Sequence, residues 1–191
     1  ADEGELRYIH ATDDEIRQNI QNHINEIDNR GTSPGIPRSE YLNENTTGYI
    51  MFDIESPRNL GGIINYSDEE ITWFVEGLIR RIQIFKEFCP KAKVGVWRFG
   101  DVDFRLVEEI FQPRLEKQLF AGKVSYNGQT LHDAVDYIGG GFYPYFGPGD
   151  PNGVHQKYLD GVRVDFIKRV KEAFVESFGS KKPLIPILSF R

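Results

Sequence analysis

Four short, mostly apolar runs, each set apart from the next by a segment long enough for a helix, constrain this chain more than any other feature. They are Gly48–Ile54, Lys93–Phe99, Ala134–Ile138 continuing through Gly139–Tyr145, and Pro183–Leu188. A strand that is apolar on successive residues is covered on both faces, as in a parallel sheet under helices. The intervening segments supply the helices. Ser67-Asp-Glu-Glu70 is a capping box that opens a helix to about Phe88, where Pro90 stops it. A second helix is predicted from about Val102 to Lys117, with Pro113 bending or ending it, and a third from about Val154 to Phe178, closing on Gly179. Ahead of the first strand, Ile16, Ile20, Ile24 and Ile27 form one stripe on a helix over Asp13–Asp28, followed by a loop marked by Gly31, Pro34, Gly35 and Pro37.

The order strand, helix, strand, helix, strand, helix, strand is that of an α/β protein, because each helix can carry the chain back to a parallel position. At 191 residues, with no internal repeat, the chain is expected to form one domain over 1–191. The predicted architecture is a (β/α) barrel-like parallel sheet. A full barrel takes about 250 residues, and this chain stops at Arg191 directly after a strand. The expectation is therefore a partial or reduced TIM barrel, or a fragment of a longer one. An open doubly wound sheet is the other arrangement the alternation permits. The barrel is preferred because polar residues cluster at C-terminal strand ends and no Gly-rich phosphate loop follows the first strand.

Charge and composition narrow the function. The 29 acidic against 23 basic residues, net −6, argue against nucleic acid as the partner, since that affinity comes largely from Lys and Arg. No apolar run approaches the roughly 18 residues of a membrane helix, and Ala1–Arg17 has no signal-peptide core, so the chain is expected to be soluble, without a membrane partner. A secreted location is slightly favoured, as a chain whose signal has been removed could begin Ala-Asp-Glu. Asn45-Thr46-Thr47 and Asn65-Tyr66-Ser67 match the glycosylation sequon. Cys89 stands alone, which excludes an intrachain disulfide and a Cys-based zinc site and leaves burial as its role. His10, His23, His132 and His155 are scattered with no close pair, and neither a metal nor a cofactor is predicted. His132-Asp133 is either a solvated helix start or part of a metal or acid–base site near the third strand. The sequence does not specify an oligomeric state.

The chemistry-bearing feature is Asp53 with Glu55. Two residues apart on a strand, they project to one face, and two carboxylates held close raise one pKa and create a candidate general acid. In barrels such strand ends form the active face. The other strand ends offer companions: Trp97, Arg98 and Asp101, then Tyr143 and Tyr145, then Ser189 and Arg191. Aromatic rings against sugar faces with carboxylates between them make a carbohydrate cleft. One of Trp97 and Phe99, two apart and so on one face, is expected in the core. Gly139-Gly-Gly141 either admits a ligand to the backbone or lets the strand bend, and Asp150 in the turn-rich loop Gly147–Gly153 is a further candidate.

Gly48-Tyr-Ile-Met-Phe-Asp-Ile-Glu55 resembles the strand of chitinase-like and hyaluronidase-like glycoside hydrolases whose D-x-E ends in the catalytic acid. Gly95-Val-Trp-Arg-Phe-Gly-Asp101 looks like the next strand of the hyaluronidase type, and Val135–Tyr143 is similar to the later strand that delivers a tyrosine. The resemblance covers about half the chain, in short pieces. It implies that Glu55 protonates the glycosidic oxygen, Asp53 orients an N-acetyl group that attacks the anomeric carbon, Tyr143 steadies that group and Trp97 floors a sugar subsite. Arg98, Asp101, Tyr145 and Arg191 would contact substrate. A lysozyme-like muramidase with its own D-x-E strand fits nearly as well.

Two other functions stay open. Phe52-Asp-Ile-Glu-Ser56 also resembles the first motif of metal-dependent 3′–5′ exonucleases, although the expected downstream spacing is absent: His132 precedes Asp136 by four. A non-catalytic carbohydrate-binding barrel would use Trp97, Tyr143 and Tyr145 with no need for a proton on Glu55. A serine nucleophile is not favoured, since there is no G-x-S-x-G elbow.

Overall fold

The computed structural model describes residues 11–29, 35–53, 60–100, 108–141 and 162–187. Helix α1 spans Asp13–Asn25 and is opened by a capping box between Thr12 and Glu15. Its Ile16 and Ile24 are buried, but the helix ends before the fourth member of the apolar stripe. Glu26 turns extended, and Ile27, 58% exposed, falls in the two-residue strand β1 (Ile27–Asp28), which pairs antiparallel with β2 (Ile36–Pro37). A 3-10 turn over Arg38–Glu40 leads to β3 (Tyr49–Phe52), and a second one covers Leu60–Asn65.

Helix α2 (Asp68–Phe88) is the spine of the core, and the Ser67–Glu70 capping box is formed as the sequence predicts. Its apolar residues repeat at three- and four-residue intervals, so Ile71, Phe74, Val75, Leu78, Ile82 and Phe85 are all buried. Burying such side chains stabilises by roughly 1.5–3 kcal/mol each. Two ion pairs fasten α1 to it: Arg17 forks onto both oxygens of Glu87 at 2.8 and 2.9 Å, and Arg80 reaches Asp13 at 2.6 Å. Cys89 follows as the C-cap, fully buried.

Strand β4 (Lys93–Val96) is followed by α3 (Glu108–Lys123), the hairpin β5–β6 (Ser125–Tyr126, Gln129–Thr130), the single turn α4 (Leu131–Ala134), β7 (Ile138–Gly141), α5 (Val162–Phe178) and β8 (Leu184–Ile187). Pro113 lies inside α3 rather than ending it. Ala134, predicted to begin the third strand, instead ends the helical turn Leu131–Ala134, which a capping box between Thr130 and Asp133 opens, and the strand begins only at Ile138. Phe99 packs edge-on against Phe174 of α5 at 5.1 Å, and Phe111 of α3 stacks on Phe166 at 4.2 Å.

The sheet corrects the predicted architecture. β3 and β4 pair in parallel from Tyr49 opposite Lys93 to Phe52 opposite Val96, and β7 and β8 pair in parallel from Ile138 opposite Leu184 to Gly141 opposite Ile187. The two pairs meet where the Asp136 N–H donates to the Val94 carbonyl at 2.7 Å. Among the described residues every sheet is two-stranded and no barrel closes, so the fold is mixed α/β and not a TIM barrel, whole or reduced. Barrel closure needs each strand to be laddered on both sides and its interior filled by side-chain layers. Here the parallel strands are four residues long, β7 carries three glycines, and β8 carries Pro186, which has no N–H to give to a second neighbour. A Cβ at Gly139 would stand 3.0 Å from the Val96 carbonyl oxygen, so its lack of a side chain lets β7 lie against β4.

Candidate cleft beside the first parallel strand

β3 ends at Phe52, and Asp53 is the first residue past the ladder, exposed to solvent. The Trp97 N–H donates to the Phe52 carbonyl at 2.9 Å, extending the pairing by one bond. Asp53 and Trp97 therefore stand side by side at the C-terminal end of the β3–β4 pair. Trp97 is half-buried, and the Arg98 guanidinium sits 5.9 Å from its ring centre. Arg98 has φ +64°, a left-handed conformation uncommon for a residue with a side chain, and its carbonyl accepts from the Gln118 amide at 3.3 Å. That turn separates two side chains the sequence places on one face: Phe99 goes into the core and Trp97 does not. The core member of the predicted pair is thus Phe99.

A cleft of about 1050 Å³ opens along β3 between α1 and the segment after the 3-10 turn, with Asp53 in its wall. One side is aromatic and apolar, with Tyr49, Met51, Phe52 and Phe85; Tyr49 is 66% exposed and meets Tyr137 edge-on at 5.5 Å. The opposite side is polar, and its loop is locked by short-range bonds. Asn43 N–H donates to Thr46 Oγ1 at 2.9 Å, Thr46 Oγ1 donates to the Tyr41 carbonyl at 2.6 Å, and the Asn43 amide donates to the Ser39 carbonyl at 3.0 Å. Small polar residues satisfy their own backbone in this way, which fixes a loop without a helix or strand.

Charged groups lie on that same side. The Tyr41 hydroxyl donates to Asp28 at 2.7 Å, and desolvation together with this bond raises the Tyr41 pKa. Arg38 donates to Glu26 at 2.8 Å with one terminal nitrogen against the His23 ring, and its side chain is only 13% exposed. Glu40 completes the set. The cleft thus combines three carboxylates, Asp28, Glu40 and Asp53, with tyrosine rings and side-chain amides, a set able to hydrogen-bond hydroxyls and to lay a ring against a sugar face.

Of the predicted site residues, Asp53, Trp97 and Arg98 come together at adjacent strand ends, with Trp97 and Arg98 beside the cleft rather than in its wall. Glu55, Asp101, Tyr143, Tyr145 and Arg191 lie outside the described residues, as do Ser189 and Asp150. Sequence reasoning did not single out Asp28, Arg38, Tyr41 or Tyr49. Arg38 and Tyr41 belong to a stretch with no period-two or period-3.6 pattern, Asp28 and Tyr49 stand at the edges of the predicted helix and first strand, and no local signal marks the four as facing a common space.

His132 is not a solvated helix start. It is 7% exposed, stacked on Phe178 at 4.6 Å, with Nε2 2.9 Å from Ser180 Oγ. Burial, with the Lys182 ammonium nearby, lowers its pKa and keeps the ring neutral. Among the described residues no group of three or more His, Cys, Asp or Glu side chains is arranged to hold a metal ion. No helix there is long and apolar enough to cross a membrane. Comparison with protein-family models finds no match, and neither the curated proteins nor the solved structures contain a significant one.

Proposed function

We propose that the protein is a glycoside hydrolase that cleaves an N-acetylated polysaccharide or oligosaccharide by acid catalysis in the cleft along β3. The observation that carries this is the place of Asp53: directly past the end of a parallel strand, in the wall of a cleft that also presents Tyr41 and Tyr49. The support is local and does not draw on a barrel. Glu55, two residues further on, is the proton donor to the glycosidic oxygen in this proposal. Asp53 orients the acetamido group whose carbonyl oxygen bonds to the anomeric carbon as the leaving oxygen takes the proton. Trp97, one strand over, stacks on a sugar ring next to the scissile bond.

The test is turnover on chitin, hyaluronan and peptidoglycan oligosaccharides by the wild type, Glu55→Gln and Asp53→Asn, with and without EDTA. Metal-independent cleavage lost in Glu55→Gln, with oligosaccharide binding retained, is the expected result. Binding without cleavage in the wild type would make the cleft a non-catalytic sugar site. EDTA-sensitive cleavage of a single-stranded DNA substrate would replace the proposal with a nuclease.

A further inference from the structure

We propose that a second cavity, between α5 and the β7–β8 pair, binds a small aliphatic carboxylate: an acyl chain of medium length ending in one anionic head. The cavity measures about 500 Å³, within the roughly 300–1,000 Å³ usual for small-molecule sites. Its lining is largely hydrocarbon: Ile167 and Val175 from α5 and Leu184 from β8 are at least partly exposed, over a buried floor of Ile138, Val170 and Phe174. Val175, on the same helix, lines it while remaining 46% exposed, so the apolar surface continues outward to the opening.

The charged residues among the described lining are all lysines, namely Lys171, Lys181 and Lys182, in a chain whose net charge is −6. Lys182 is held in place: its ammonium donates to the carbonyls of His132, Asp133 and Val135. Its donors are thus taken up by the backbone and its side chain is half-buried, whereas Lys171 and Lys181 are exposed and supply the charge a ligand can reach. Ser180, also in the lining, has Oγ 2.9 Å from the His132 ring nitrogen and adds a hydroxyl beside these cations. Hydrocarbon on one side and cations with a hydroxyl on the other match an amphipathic anion. A neutral amphiphile would leave the lysines without a counter-charge, and a short anion would leave the hydrocarbon wall unfilled.

The experiment is an NMR titration of the full chain with octanoate, octanol and acetate, following the amides of Val170, Phe174 and residues 180–184, and repeated on Lys171→Glu/Lys181→Glu. Both lysines are exposed, so the double variant should keep its fold, which far-UV circular dichroism checks. The expected result is saturable binding of octanoate about tenfold or more tighter than of octanol, with acetate weaker still. The double variant should lose about tenfold in octanoate affinity and keep its octanol affinity. Equal binding of octanol and octanoate, an unchanged double variant, or no localised shifts with octanoate would each overturn the proposal. Because the cavity is apart from the cleft along β3, octanoate should not compete with oligosaccharide, and loss of either site leaves the other to be judged alone.

Discussion

Asp136 and Val94 hold each other twice: the Val94 N–H donates to the Asp136 carboxylate at 2.9 Å, and the Asp136 N–H donates to the Val94 carbonyl at 2.7 Å. The side chain thus completes a ladder that the backbone of β7 has not yet begun, and it ties one parallel pair to the other. Lys86 of α2 reaches the same carboxylate oxygen at 2.9 Å and binds the helix to the junction. Burial pushes the Asp136 pKa up, but the Val94 N–H and Lys86 outweigh it and hold the group below the ordinary carboxylate range.

Asp136→Ala should therefore destabilise the fold by about 1.5–3 kcal/mol, the range for hydrogen bonds to a charged group, and Asp136→Asn by less, since an acceptor oxygen remains. The native pKa is depressed, so the stabilisation is present above the unfolded value of about 3.9 and is lost as pH falls through the native value. Urea unfolding of the three proteins at pH 7 and at pH 3 checks both parts; a mutant gap that persists undiminished at pH 3 would contradict the ionic origin.

A buried neutral histidine predicts a second pH dependence, at higher pH. His132 has its pKa lowered first by desolvation and then by Lys182, so the unfolded chain takes up a proton before the native one does. Stability is then full above the unfolded value of about 6.5 and declines as pH falls from there through the lower native value. The melting temperature of the wild type should drop between pH 7.5 and pH 5. His132→Gln should lose that part of the slope while being less stable at pH 7.5, because it gives up the stacking on Phe178. Parallel slopes in wild type and variant would show that another group is responsible.

Gly95 faces the ring of Tyr137, and a Cβ there would come within 2.3 Å of two ring carbons. The Tyr137 hydroxyl donates to the Ile50 carbonyl at 2.9 Å, so the ring cannot swing away without breaking that bond. Gly95→Ala should cost about 1–3 kcal/mol as an overpacked site, and Tyr137→Phe about 0.5–1.5 kcal/mol for the single hydrogen bond. If Gly95→Ala in the Tyr137→Ala background costs as much as in the wild type, the clash is not the cause. Thermal denaturation of the wild type, the three single variants and the double variant reads it.

How much was legible in the sequence depends on whether the signal was local. The capping box at Ser67 and Glu70 and the long apolar face of α2 were readable because both are set within one helix. The hairpin at Asn127-Gly128 was equally local, with φ +50° and +76° at the two turn residues, the signature of an Asn-Gly turn between short strands. It lies between the helix predicted to end at Lys117 and the strand predicted from Ala134, and extends neither. The absence of barrel closure was not legible, because strand order and the number of ladder partners are set by contacts far apart in sequence, such as Asp136 with Val94. The Ile27 stripe failed for a related reason. Ile27 fits the helical period, but β1 pairs with β2, and that pairing overrode the local pattern. Of the candidate site, Asp53 beside Trp97 was legible as strand ends, whereas the polar wall from Asp28 to Thr46 was not.

The cleft along β3 predicts a separation between binding and turnover that stability cannot mimic. Tyr49 is largely exposed and its ring leans on Tyr137 only by an edge contact, so Tyr49→Ala should leave the melting temperature nearly unchanged. If a sugar ring stacks there, removing it costs about 1 kcal/mol of binding, roughly a fivefold rise in KM, with kcat little altered because the contact is the same in ground and transition states. Glu55→Gln should do the reverse, lowering kcat by roughly 100- to 10,000-fold as expected for loss of a general acid, with KM close to that of the wild type. Steady-state kinetics on the substrate found by the oligosaccharide panel, together with melting curves of both variants, measures the two effects. A Tyr49→Ala enzyme with unchanged KM would remove the β3 wall from the binding site and move the sugar toward Trp97.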